Sequence, residues 1–211
     1  MARADARSAM IDAAEAIVAE RGLAAMSLRE VQVRAGQLNK NAAQYYFGNR
    51  EGLIAAVVES RMAPINDQRT RLLSELDGGF DTSPRQLVEA LIYPLAQAIS
   101  ARAGSCYARF LAQAAFDPQL SSMISDHVRA NSAREVLNRL IGSTGLPANL
   151  EISRLQGILT TAITTLARWE AAPELMADPA LVVDLVDTTT AALLAPSSQP
   201  SSEPELSSQP G

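Results

Sequence analysis

Apolar side chains recur at Met10, Ala13, Ala14, Ile17 and Val18, and Gly22 closes the run. That spacing lays one stripe along a helix and predicts a helix over 6–21. Ser27 precedes "LREV" with Glu30 three residues on, a capping-box pattern opening a short helix over 27–34. Gly36 supplies the left-handed turn that ends it. Asn39 is placed to cap a third helix, roughly 40–47, and Glu51 to open a long one over 51–76. Ser83 as cap and Pro84 in the first helical position start a helix over 85–102. The breaks "FDPQL" and "GSTGLPANL" divide the next stretch into helices over 105–115, 118–141 and 150–171. "ADPAL" starts the last, over 179–195.

No run alternates apolar and polar residues as a half-buried strand does. The expected fold is therefore all-α, with about nine helices. Three short helices form an N-terminal unit over 1–51, too small to stand without the start of the long helix. A helical body follows over 52–195. The tail, 196–211, holds six Ser and four Pro in sixteen positions and is expected to be disordered.

Two prolines fall inside predicted helices, Pro64 and Pro94. Each lacks an N–H and clashes with the carbonyl four residues back, so each is expected to kink its helix and free a carbonyl, Ser60 or Ala90. Each is either a tolerated bend or a working one, Pro64 then being a joint between the two parts and Pro94 a cavity wall.

Charge sharpens the division. The net charge is −5, yet residues 1–50 carry seven basic side chains against five acidic ones. Residues 51–211 carry eleven against eighteen. A basic head on an acidic body suggests a division of labour. The single Cys106 excludes an internal disulfide, and with only His127 beside it no zinc site can be assembled, so no cofactor is expected. Acids and arginines mix throughout the first 22 residues, unlike a signal peptide, and no apolar run approaches a membrane span. The expectation is a cytoplasmic protein with no membrane partner.

The odd stretch is "AGQLNKNAAQYYFGNREGL", 35–53. It holds the only lysine, Lys40, and three of the nine aromatics, Tyr45, Tyr46 and Phe47. A helix, a turn and a second helix here have the dimensions of a helix-turn-helix, whose second helix lies in the major groove. Ala43 and Phe47, four apart, share the inward face. Lys40, Asn41, Gln44 and Tyr45 then look outward, where amides can read adenine edges and lysine and tyrosine can hold guanine or phosphate. Small Ala42 would let the backbone approach DNA closely. Asn39 and Tyr46 complete the set from this segment, and Arg3, Arg7, Ser27 and Arg50 are expected near phosphates.

Residues 6–61 resemble the N-terminal domain of the TetR family of bacterial transcriptional regulators. The likeness runs through "AAEAIVAERGLAAMSLREV", "AG" at 35–36 and "YYFGNREGLIAAVVE". Arg50 stands where the family often has lysine, Gln32 where it has a small alanine, and Gln44 where it has tyrosine. The turn after Gly36 is one residue longer than the commonest form, and Leu38 is expected to fill its hydrophobic slot. The resemblance implies a homodimer that binds double-stranded DNA and answers to a small-molecule effector through the body.

In the body, Tyr93, Cys106, Tyr107, Phe110, His127 and Trp169 are the candidate cavity residues, because pockets are mostly apolar with a few polar tips. The last two helices are expected to form the dimer interface through Leu155, Leu159, Ile163, Val182, Leu185 and Val186. The last helix is apolar nearly all round and needs cover on more than one side.

Three functions compete. A ligand-responsive transcriptional regulator, acting as a repressor on a near-palindromic operator, explains the head. A helical binding protein that ignores DNA explains the body alone. An enzyme would need a nucleophile with its base, a carboxylate pair or a phosphate loop, and the sequence offers none, so no enzyme is expected.

Overall fold

In the computed structural model, residues 2–78, 82–128 and 132–197 are described, the side chains of 2–4, 126–128 and 173 excepted. Among the described residues the protein is all-helical, with eleven α-helices and one 3-10 turn at Leu23–Ala25. The N-terminal unit comprises α1 (Ala2–Arg21), α2 (Leu28–Arg34) and α3 (Ala42–Phe47). The long α4 (Arg50–Asp77) leads into the body of α5 (Pro84–Ser100), α6 (Tyr107–Gln113), α7 (Pro118–Val128) and α8 (Ser132–Leu140). It continues with α9 (Ala148–Glu170), the short α10 (Pro173–Met176) and α11 (Pro179–Leu194).

The sequence pattern and the structure differ in instructive places. The helix expected over 118–141 is described as α7 and α8 on either side of residues 129–131, which lie outside the described residues, and α10 was not expected. At Ser83 the capping box is complete, its hydroxyl taking the Gln86 N–H while the Gln86 side chain returns to the Ser83 N–H. At Ser27 only half of it forms: Oγ accepts the Glu30 N–H at 3.1 Å, but the Glu30 carboxylate turns to Arg21 at 2.7 Å. The expected tail lies outside the described residues from 198 on.

Both prolines sit within continuous helices. The Ala90 carbonyl, denied its donor by Pro94, accepts Nε of Arg69 at 2.9 Å. Arg69 thereby ties α4 to α5 from inside the core, where it is 3% exposed. Pro94 is itself buried in α5 and packs as core.

One contiguous core runs from Met10 and Ile17 of α1 through Leu53 and Val57 of α4 to Phe110, Leu166 and Leu193. Helix α6 packs on both α1 and α9, so it joins the head to the body beside α4. Helix α11 packs against α5 and α9. Burying a large aliphatic side chain contributes about 1.5–3 kcal/mol, and that burial holds these short elements together.

Candidate nucleic-acid interface and effector core

The head is built so that a few apolar residues anchor a polar ridge. Ala43 is fully buried and Phe47 is 9% exposed, holding α3 against α1, α2 and α4. Gly36, at φ 64°, makes the left-handed turn after α2. At the other end Asn49 caps α4, its Oδ1 accepting the Gly52 N–H at 2.7 Å. A Cβ on Gly52 would lie 2.2 Å from the Phe47 carbonyl, so this close approach of α3 to α4 requires glycine.

Outward, Lys40, Asn41, Gln44 and Tyr45 are all exposed, Tyr45 at 72%. Helix α3 starts later than its expected cap. Asn39 instead organises the approach: its Oδ1 accepts the Asn41 N–H at 3.0 Å and its carbonyl the Ala42 N–H at 3.1 Å. Lys40 therefore stands in the turn leading to α3. Tyr46 is half-buried, its ring 5.2 Å from that of Tyr45 in an edge-on contact. Arg7 is exposed, with its guanidinium 5.6 Å from the Phe47 ring centre. Ser27 is exposed at the start of α2. Arg3 lies where side chains are not described.

Three placements correct the sequence expectations. Ala42 is 5% exposed and faces the core, because α3 begins there and turns its first Cβ inward. Arg50 also points inward, donating from Nη2 to the Leu23 carbonyl, with its Nε buried and unpartnered. It clamps α4 to the 3-10 turn. Leu38 is 97% exposed and fills no slot. Buried Gln32 does that work, its Nε2 donating to the Asn39 carbonyl at 2.9 Å. The longer turn and the unusual glutamine compensate each other.

The head meets the body through a charged junction. Glu15 of α1, 1% exposed, accepts from Nε of Arg61 on α4, from Nη1 of Arg102 at 3.0 Å and from the Cys106 N–H at 2.9 Å. Asp12 accepts from Arg61 and from Arg102, the latter at 2.6 Å. At the far end of α9, Glu170 caps α6, accepting the Ala108 and Arg109 N–H groups at 3.2 and 3.0 Å and the Ser105 hydroxyl at 2.7 Å.

The cavity candidates whose side chains are described share none of the hollows below. Tyr107 and Phe110 stack at 5.8 Å in the core. Tyr93 lines a cavity of about 190 Å³ against α11. Cys106 is half-buried and accepts from Nη2 of Arg109 at 3.0 Å; burial pushes its thiol pKa up. Trp169 packs on the core from α9, and the His127 side chain lies outside the described ones. A hollow of about 670 Å³ runs between α6, α7, α8 and α9 over Leu111, Ile124, Leu137, Leu159 and Ile163, with Arg134 on its wall. Among the described residues no three His, Cys, Asp or Glu side chains gather to hold a metal, and no helix is long and apolar enough to cross a membrane.

Of the expected dimer residues, Leu155, Val182, Leu185 and Val186 are buried in their own chain. Leu159 and Ile163 are half-exposed. The outward faces are smaller and more polar: Gly157, Thr160, Thr161 and Thr164 on α9, with Val183, Thr188, Ala191 and Leu194 on α11.

A three-helix head with an anchored polar ridge has the form of a helix-turn-helix on a helical body. The family model for bacterial regulatory proteins of the tetR family matches residues 10–57, from α1 into α4. The N-terminal unit therefore carries that family's domain. It is 29% identical over 86 residues to the HTH-type transcriptional regulator BetI of Rhizobium meliloti (strain 1021), a match covering 41% of this chain and 39% of that protein. In fold it is similar to the fatty acid degradation regulator FadR from Bacillus halodurans (TM-score 0.55, 18% identity, 87% of this chain and 97% of that one). It is also similar to FadR from Bacillus subtilis, solved in complex with stearoyl-CoA (TM-score 0.54, 16% identity, 88% and 98%).

Proposed function

We propose that the protein is a homodimeric, effector-responsive transcriptional repressor that works in the cytoplasm on a near-palindromic operator. The observation that carries this reading is the ridge of Lys40, Asn41, Gln44 and Tyr45, exposed over buried Ala43 and Phe47. Gln44 and Asn41 read base edges, while Lys40 and Tyr45, with Arg7 beside them, meet guanine or phosphate.

Two-fold DNA needs two heads. The pairing surface is the outward side of α9 and α11, where Gly157, Thr161, Thr188 and Ala192 line a shallow cavity of about 310 Å³. Such small residues admit close helix approach, and a second copy of the same pair completes a four-helix bundle. Leu155, Val182, Leu185 and Val186 support that surface from beneath. The likeness in fold to a regulator holding stearoyl-CoA supports an effector with a largely apolar body. An effector acts only by its differential affinity for two dimer shapes.

Sequencing the duplexes that the full chain retains from a random pool tests the reading, alongside its sedimentation. A dimer and a two-fold motif are expected, with half-sites about one helical turn or a multiple apart. A monomer, or a pool without such a motif, overturns it.

A further inference from the structure

The turn between α2 and α3 carries a leucine that the fold leaves bare. Leu38 is 97% exposed, more than any other large apolar side chain among the described residues. A leucine in water is common and means nothing by itself. This one is held there. The chain on both sides of it is tied to one residue of α2: the Gln37 N–H donates to the Gln32 carbonyl at 2.9 Å, and Gln32 Nε2 donates to the Asn39 carbonyl at 2.9 Å. Gln32 is 8% exposed, so its amide is shielded from competing water. Asn39 Oδ1 then accepts the Asn41 N–H at 3.0 Å and carries the brace on toward α3. The turn is fixed before and after residue 38, with the isobutyl group outside the core.

Its place gives that group a use. Leu38 stands four residues before α3 begins at Ala42, and Asn39, Lys40 and Asn41 between them are all exposed. In a helix-turn-helix the first residues of the second helix contact base edges, so the turn leading into them arrives at the groove. Three residues span at most about 11 Å, so Leu38 and Asn41 fall within one major-groove width of about 12 Å. The amides and the lysine of this stretch match donors and acceptors on the bases. The C5-methyl of thymine is the apolar mark in that groove, and apolar side chains read it. Among the exposed residues of 38–45, Leu38 is the one aliphatic side chain, because Ala42 and Ala43 are buried.

We propose that Leu38 reads the C5-methyl group of one thymine in each operator half-site. The inference rests on the DNA-binding reading above and adds a specificity-determining residue with the base that it favours. Contact takes the leucine and the methyl out of water together, a gain made at thymine and at no base lacking the methyl. Gln32 is the positioning residue, since it holds the backbone on both sides of Leu38.

Selection from random DNA by the full chain, followed by titrations in which each thymine of the recovered motif is replaced in turn by deoxyuridine, tests this. The replacement removes the methyl and keeps the pairing. One thymine per half-site should prove methyl-dependent, with binding about fourfold weaker for each half-site substituted, the worth of one buried methyl group. Leu38→Ala should bind the thymine and deoxyuridine duplexes alike at that position. Its melting temperature should match the wild type, because the side chain buries nothing in the fold. Leu38→Met, still apolar and of similar volume, should keep most of the methyl dependence. A motif with no methyl-dependent thymine, or dependence at every such thymine persisting in Leu38→Ala, overturns the proposal. So does a Leu38→Ala loss that is equal on all sequences, which would mean contact with the backbone of the DNA. In each of these cases the recovered two-fold motif leaves the regulator reading standing, whereas a pool without any motif overturns both.

Discussion

The head and the body use buried polar groups in opposite ways. In α1 to α3 the interior is apolar apart from Glu15 and Gln32, and the working polar groups stand outside on α3 and its approach. In the body several polar groups are inside: Arg69 spans α4 and α5, Glu151 gathers the turn before α9, and Tyr107 keeps a bare hydroxyl. A head that must present one fixed surface is best held by packing. Polar groups whose partners can change suit a body that answers a ligand, as proposed for this one. The two exceptions in the head fit this division, since Glu15 is the link to the body and Gln32 braces the turn that aims the ridge.

The largest effect should come from the head's anchor. Phe47→Ala should cost about 3–5 kcal/mol, since an aromatic leaves a cavity as well as lost contact. Hydrogen exchange should then show α1 to α3 opening while α9 and α11 stay protected. Uniform loss of protection across both parts would break the comparison.

Glu151 probes the body. It is 3% exposed and accepts the Gly142 N–H at 2.8 Å and the Thr144 hydroxyl at 2.7 Å. The Gly142 backbone bond first, then the Thr144 hydroxyl, holds its pKa below the usual carboxylate value of 4.5. A depressed pKa in the folded state means stability that is present above pH 4.5 and is lost as pH falls through the folded value. Glu151→Gln should therefore lower the melting temperature at pH 7, by an amount corresponding to about 1–3 kcal/mol, and the gap should narrow in melts below pH 4.5. A gap independent of pH would contradict the assignment.

Smaller effects separate phosphate contact from support. Lys40→Ala should reduce the salt dependence of operator binding by about one phosphate contact per subunit, with folding intact. Arg50→Ala should leave that slope unchanged and lower the melting temperature, because Arg50 clamps the Leu23 carbonyl. Binding titrations across a salt series with parallel melts check both, and a reversed pattern would return Arg50 to the DNA face.

Much of this was legible in the sequence because it is local. The stripe of Met10, Ile17 and Val18, the cap at Ser83 with Pro84, and the anchor pair Ala43 and Phe47 all follow from spacing within a few residues. The freed Ala90 carbonyl was legible too, though not its partner, since Arg69 reaches it from another helix. What escaped were choices settled across the fold. Arg50 and Leu38 could each face either way by sequence alone; the Leu23 carbonyl claims one, and Gln32 takes the place meant for the other. The last helix looked apolar all round, but the core formed with α5 and α9 takes Val182, Leu185 and Val186, leaving a thinner outer face.

Selection from random DNA by the wild-type chain and by Gln44→Ala in parallel tests the central claim most directly. Gln44 is exposed on α3, so the variant should fold normally and bind the wild-type site roughly 1–3 kcal/mol more weakly. The wild type should return a two-fold motif, and the variant the same motif with preference relaxed at one base position in each half-site. Identical motifs and affinities from the two proteins would contradict the assignment of base reading to this face of α3.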